Sequence, residues 1–193
     1  MRRVGLALSL IVPAVAGIVA MRGQQPADSS GEPRYTADNR MLRPTKYREW
    51  VWLSSGLGMS YTPGPADSNP DFDNVFVNPA AYRAFIATGK WPDKTMLVLE
   101  TRSSVSKSSI NQSGRVQGDV TGMEVHVKDE RRFPGQWAFF GFGRSAESGA
   151  LIPTSASCYS CHKQHGAVDT TFVQFYPTLL EIAKQKGTTQ EHY

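Results

Sequence analysis

Two cysteines and a histidine form the strongest chemical signal in the chain. Cys158 and Cys161 are separated by two residues, His162 follows at once, and the sequence contains no other cysteine. Thiols at this spacing reach both vinyl groups of one porphyrin, and the adjoining imidazole then reaches the iron. The motif therefore predicts one covalently attached haem c, with Cys158 and Cys161 as attachment residues and His162 as the proximal iron ligand.

Zinc, redox and disulfide chemistry use the same cysteine spacing, and the sequence leaves them as alternatives. A structural zinc ion takes four protein ligands, and outside the motif only His165 lies close by. A redox dithiol has no need of the trailing histidine and normally opens a helix after a strand. A small disulfide loop also leaves the histidine unexplained. Haem c accounts for all three residues and is the preferred interpretation.

The amino terminus predicts export. Arg2 and Arg3 precede an apolar run over residues 4–20 that ends in small residues, which is the pattern of a cleaved signal peptide over residues 1–21. The run is short for a membrane span and is interrupted by Pro13, so an uncleaved anchor is the weaker alternative. We therefore expect a periplasmic protein.

Composition divides the remainder into three parts. Residues 22–40 are rich in Gln, Pro, Asp, Ser and Gly, which predicts a flexible linker. Residues 41–187 are long enough for one domain with a core, and residues 188–193 are expected to be a disordered tail. The net charge is +4, but no Lys/Arg run with interleaved aromatics and no glycine-rich phosphate loop occurs, which argues against a nucleic-acid partner.

Residue patterns upstream of the cysteines predict a sheet with short helices. Residues 96–99 form a short apolar run, and residues 123–128 alternate apolar and polar side chains with the period of a half-buried strand. The aromatic run 137–142 suggests a further strand. Between Asn78 and Gly89 the period changes to that of a helix. Small electron-carrying cytochromes c are, by contrast, mostly helical with the motif near the start.

Six segments occur in a fixed order along the predicted domain. They are KYREW at 46–50, NVFVNPAAY at 74–82, TGKWPD at 88–93, GMEVHVKD at 122–129, WAFF at 137–140 and the cysteine motif. In this order they resemble the cytochrome P-460 family, over about residues 46–177. The resemblance implies an α+β fold, a mainly antiparallel β-sheet haem-binding domain with a few short helices and the haem c motif near the C-terminus. It also implies a homodimer.

The resemblance divides into two branches with different chemistry. Members like the cytochromes P-460 proper oxidise hydroxylamine, or react with nitric oxide, at a haem that is cross-linked to a lysine. Members like the c-prime-beta cytochromes lack the cross-link and bind nitric oxide in a pocket capped by aromatics. The resemblance implies that Lys107, which follows the strand beginning at Met96, is the cross-linking residue, and the alternative is an ordinary exposed loop lysine.

Other side chains are candidates for the surroundings of the haem. Phe140 and Phe142 could cap it, although a β-domain core would use the same residues. A proton-shuttling group would have to lie within hydrogen-bond reach of the bound nitrogen species. The candidates for it are Asp73, Glu100, Arg102 and Glu124.

The sequence predicts five-coordinate iron with one open face. His126 lies on the polar side of its strand, and His165 follows His162 too closely to reach the opposite face of the same haem. The methionines Met59, Met96 and Met123 are more economically interpreted as loop or core side chains. An open face admits small ligands, whereas two strong axial ligands favour pure electron transfer.

Taken with the resemblance, these residues predict an exported mono-haem c cytochrome that oxidises hydroxylamine or reacts with nitric oxide. The expected partners are that small nitrogen compound, a redox partner such as a small cytochrome, and a second copy of the chain. The alternatives are a nitric oxide or small-gas binding protein without turnover and a simple electron carrier. A cross-linked Lys107 favours the enzyme, and its absence favours the gas binder.

Overall fold

The computed structural model describes residues 31–193, so the predicted signal peptide and the first part of the predicted linker lie outside the described residues. Its strands are β1 (Met41–Leu42), β2 (Val51–Leu57), β3 (Phe72–Val77), β4 (Met96–Ser106), β5 (Arg115–Lys128), β6 (Trp137–Phe142) and β7 (Ser148–Leu151). Its α-helices are α1 (Pro79–Thr88), α2 (Ser157–His165) and α3 (Pro177–Lys186), and short 3-10 helices lie at Tyr47–Glu49 and Val173–Phe175.

The strands form one sheet in the order β1-β7-β6-β5-β4-β3-β2, and every pairing within the described part is antiparallel. The long hairpin of β4 and β5 lies at the centre, and three helices pack around the sheet. The expected α+β fold with a mainly antiparallel sheet is therefore confirmed. None of the helices in residues 31–193 is long and apolar enough to cross a membrane.

Helix α1 shows how local sequence sets an element. Pro79 occupies its first turn, where a missing N–H is tolerated, and Gly89 ends it in a left-handed conformation with φ of 72°. A Cβ on Gly89 would lie 2.7 Å from Lys186 Cβ, so glycine also allows the close approach of α3. Asn78 precedes the helix but does not cap it with its side chain, which instead accepts a hydrogen bond from Met96 N at 2.9 Å.

The sheet has two differently used faces. One face carries a dry cluster that includes Val98, Val125 and Phe140, each of them fully buried, and the N-terminal segment covers it. The opposite face packs against α1, α3 and the segment after α2, through a cluster that includes Phe85 and Trp91. Because successive strand residues point to opposite faces, β3, β4 and β6 each contribute to both clusters.

The folded domain extends beyond its predicted bounds at both ends. Tyr35 lies in the segment predicted to be a linker, but its ring packs 5.9 Å from that of Phe140, and Arg40 Nε donates to Ser148 Oγ at 2.9 Å. In the predicted tail, Gln190 N donates to Ala167 O at 2.8 Å. Residues 31–40 and the start of the tail are therefore corrected to parts of the folded domain, because their aromatic and polar groups find partners on it.

Removing the Phe140 ring should destabilise the domain without changing the haem spectrum. The ring is fully buried in the dry cluster, and phenylalanine-to-alanine changes in cores lower the free energy of unfolding by about 3–5 kcal/mol. Urea denaturation of Phe140→Ala, with a visible spectrum of the same sample, checks both parts. A changed spectrum in folded protein would contradict the placement of Phe140 away from the haem.

Candidate haem site

Helix α2 presents both thiols and the imidazole of the cysteine motif on one side. Cys158 and Cys161 are three residues apart, and Cys158 and His162 are four apart, so the three side chains are neighbours on the helix surface. Both cysteines are free thiols of intermediate exposure. Tyr159 ties the helix to the sheet, since its hydroxyl donates to Ile152 O at 3.0 Å and accepts from Phe139 N at 3.2 Å.

His162 is held in the tautomer that a metal ligand requires. Its Nδ1 lies 2.8 Å from the carbonyl oxygen of Thr170. A carbonyl only accepts, so Nδ1 carries the proton and Nε2 keeps its lone pair for an iron. Burial lowers the pKa of His162, while the hydrogen bond to Thr170 acts in the opposite direction. The side chain is thus neutral and oriented, as an iron ligand must be.

A cavity of about 250 Å³ lies between α2 and the sheet. On the sheet side its walls include Asp73, Val75, Leu97, Leu99, Glu124 and Phe139. Facing them are His162, Phe172 and Phe175, and at the mouth stand Met59 and Tyr61 from the loop after β2.

Two carboxyl groups line this cavity, whose walls are mostly apolar. Burial raises the pKa of Glu124, and the negative charge of Asp73 raises it further. Burial also raises the pKa of Asp73, although a hydrogen bond from Thr101 Oγ1 at 3.1 Å opposes the shift. No lysine or arginine of the described residues lines the cavity, so neither carboxylate has a cationic partner there.

Glu100 and Arg102, two further candidates for proton transfer, do not contribute to this cavity. Burial alone would raise the pKa of Glu100, but hydrogen bonds from Arg102, Tyr47 and Arg48 lower it. Its carboxylate is buried and paired in this cluster. Glu100 and Arg102 therefore have structural roles, and the prediction that they transfer protons is wrong. Asp73 and Glu124 remain as the candidates for proton transfer.

Lys107 lies away from the site. It follows the last residue of β4 in the turn of the central hairpin, with φ of 52°, and its side chain is exposed. It is not among the residues that line the cavity. The structure therefore gives the expected cross-link through Lys107 no support, because β4 and β5 extend beyond β3 as a two-stranded hairpin and carry its turn out into solvent.

Phe140 and Phe142 lie on the wrong face of the sheet to contact a haem held by α2. Both belong to the dry cluster, together with Val125. Their neighbour Phe139 lines the cavity instead. Every residue of WAFFGF is apolar or glycine, so no alternation of polar and apolar residues distinguishes the two faces of this strand. The register that pairs Phe139 with His126 decides it.

His126 belongs to the buried wall beside His162 rather than to the solvent face. Its ring stacks on Phe139 with centroids 3.9 Å apart and lies 5.0 Å from the ring of His162. Burial lowers the pKa of His126 well below its usual value, so the ring is neutral. That His126 is not the opposite axial ligand stays a prediction. In the sequence, only the alternation that places Glu124 and His126 on one side of β5 indicated this wall of the cavity.

The residues present fit a covalently attached haem. Helix α2 contains no buried residue, so a porphyrin bonded to its free thiols has room against the helix. Burial raises the pKa of the Cys158 thiol, and the negative charge of Glu124 in the cavity wall raises it further. No group of three or more metal-ligating side chains occurs in residues 31–193, which leaves the zinc alternative without a second ligand pair.

The family model for cytochrome P460 matches residues 44–173, which is two thirds of the chain. The chain belongs to the cytochrome P460 family. This membership implies a haem cofactor and a c-type cytochrome, in agreement with the neutral His162 beside two free thiols. No curated protein matches the chain.

Replacing Lys107 should leave the cofactor unchanged. The side chain is exposed in a turn outside the cavity, so Lys107→Met should keep the absorption spectrum of the ferrous protein and its haem-to-protein mass. His162→Ala is the matched change inside the cavity and should alter the spectrum by removing an axial ligand. If the absorption spectrum shifts in Lys107→Met, the hypothesis of a cross-link through Lys107 regains its support.

Stability should fall as pH rises above the ordinary carboxyl range. Because the folded-state pKa values of Asp73 and Glu124 are raised, the folded protein binds more protons than the unfolded chain between about pH 4 and those raised values. The contribution of these two carboxyl groups to stability is fully present below this pH range and is lost as the pH rises through it. Urea denaturation from about pH 4 to 7 should show a smaller fall for Asp73→Asn/Glu124→Gln than for the wild type. An identical slope would contradict the assignment.

Proposed function

We propose that this cytochrome P460 family member is an exported, periplasmic mono-haem c protein that binds nitric oxide, or a similar small ligand, without turnover. The observation that carries the proposal is the absence of any lysine among the described residues of the cavity wall. In the family resemblance, the cross-linking lysine separates hydroxylamine oxidisers from nitric oxide binders. The export signal in residues 1–21 supports the compartment.

The side chains of the cavity supply one axial ligand and leave room for a small molecule. Haem, when bound, supplies an iron whose second axial position accepts such a ligand. His162 provides its Nε2, and His126 lies beside it rather than opposite. Val75, Leu97 and Leu99 form an apolar wall, which favours an uncharged diatomic molecule over a hydrated anion.

Met59 is the residue on which the electron-carrier alternative depends. It lines the cavity, and a thioether can act as a second axial ligand. In this structure its side chain lies on Gly56, where a Cβ would overlap the methionine sulfur at 2.2 Å. That contact supports a packing role, and with it an open position for an external ligand.

The carboxyl pair favours a second candidate, the oxidation of hydroxylamine. That reaction releases protons and electrons, and Glu124 and Asp73 are carboxyls without a lysine or arginine beside them in the described cavity wall. Burial raises the pKa of both, which suits them to accept protons. The electrons would pass to a redox partner such as a small cytochrome.

The family resemblance also supports assembly as a homodimer.

The ferrous absorption spectrum and a nitric oxide titration test the main proposal. Protein matured in a host that attaches haem c should carry one haem by intact mass, show an ordinary high-spin c-type spectrum and bind one equivalent of nitric oxide. A strongly red-shifted Soret band, or sustained hydroxylamine oxidation, would overturn it in favour of the enzyme. Tight six-coordination that is lost in Met59→Leu would instead identify an electron carrier.

Glu124→Gln separates binding from turnover. If hydroxylamine is oxidised, loss of a proton acceptor should slow that reaction by about 100-fold or more. Nitric oxide affinity should change little, since that ligand carries no proton. The matched control is Glu181→Gln, which removes an exposed carboxylate paired with Lys184 outside the cavity. Equal rates of hydroxylamine oxidation in Glu124→Gln and in the control would show that Glu124 takes no part in the reaction.

A further inference from the structure

The segment after α2 turns back to place one carbonyl against His162. We call residues 166–171 the proximal loop. A Cβ on Gly166 would lie 2.8 Å from His162 O and 2.9 Å from Thr171 N, so only glycine permits this close return. Val168 and Thr171 then close the loop, because Thr171 N donates to Val168 O at 3.0 Å.

Two buried side chains from the rest of the domain hold the proximal loop on either side of Thr170. Trp91 Nε1 donates to Thr171 Oγ1 at 2.8 Å. Lys128 Nζ lies 3.6 Å from Asp169 Oδ2 and donates to Trp91 O at 2.9 Å. The loop is thus anchored to the sheet at the residues before and after Thr170.

Thr170 itself has a direct partner on the sheet. Its Oγ1 forms a hydrogen bond of 3.3 Å with Nε2 of His126, while its carbonyl oxygen accepts from His162 Nδ1 at 2.8 Å. The His126 ring is 7% exposed and is stacked on Phe139 at an interplanar angle of 11°. The stack fixes the ring, so its nitrogen is a rigid reference point for Thr170.

We propose that His126 is a positioning residue for the proximal ligand. Acting through Thr170, it holds the carbonyl that orients the His162 imidazole and that strengthens this nitrogen donor toward iron. The principle is general, since the group that binds the second nitrogen of a ligating histidine sets both its orientation and its basicity. The inference rests on haem as the cofactor and does not depend on which small molecule binds.

A weaker hydrogen bond at Nδ1 should make His162 a poorer donor. A poorer donor stabilises ferric iron less, so the midpoint potential should move to a more positive value. The iron–histidine stretching frequency of the ferrous protein should move lower. Both quantities report on the His162 imidazole, and a general loss of stability leaves them unmoved.

Two pairs of variants isolate the contact. His126→Phe keeps a flat ring to stack on Phe139 but removes the nitrogen, and Thr170→Val removes the hydroxyl at similar volume. His126→Gln and Thr170→Ser retain a hydrogen-bonding group and should return both readouts toward wild-type values. The matched control is Thr121→Val, which removes a threonine hydroxyl that donates to Asp71 Oδ2 at 3.4 Å.

Resonance Raman spectroscopy and redox titration of the haem-loaded variants decide the proposal. It predicts that His126→Phe and Thr170→Val shift both readouts in the same direction, and that the double variant shifts them no further, because the two changes break one bond. Readouts equal to those of Thr121→Val would overturn it, as would additive shifts. If His126→Phe fails to acquire haem, the comparison of Thr170→Val with Thr170→Ser still decides. Nitric oxide and hydroxylamine play no part, so failure here is separate from failure of the proposed function.

Discussion

The alternation of side chains along β5 and β6 is the constraint on which the rest of the structure depends. Glu124 and His126 point to one face of the sheet and Val125 to the other, and the pairing of His126 with Phe139 and of Val125 with Phe140 continues this division. One face becomes a dry core and the other the wall of a cavity. A slip by one residue would bury a carboxyl and an imidazole in the core, so the apolar face fixes the register.

The position of helix α2 and the structure of the candidate haem site depend on each other. It contains no buried residue. Tyr159 links it to the sheet, and the hydrogen bond from His162 to Thr170 links it to the proximal loop. Thioether bonds from Cys158 and Cys161 to one haem would add the contacts that its short, polar surface does not make.

The two faces of the sheet treat acidic side chains in opposite ways. Glu100 is buried among Tyr47, Arg48 and Arg102, whose hydrogen bonds outweigh burial and hold its pKa low. Glu124 has no cation beside it in the cavity, and burial raises its pKa. A fully paired carboxylate is fixed in its charged form and serves the fold. A carboxyl group without a cationic partner, whose pKa burial raises, can exchange a proton, which is the property that a hydroxylamine-oxidising site requires.

The sequence by itself determined the features that depend on neighbours along the chain. Spacing within one helix turn identified Cys158, Cys161 and His162, and period-two alternation identified β5, because both follow from local backbone geometry. Only the tertiary structure decided which face of β6 meets the cavity, since its apolar run suits either. It also decided that the hairpin carries Lys107 away into solvent, and that His126 lies against Thr170, 44 residues further along the chain. Strand register and loop return set these contacts, and both are settled by burial of the whole sheet rather than by any local pattern.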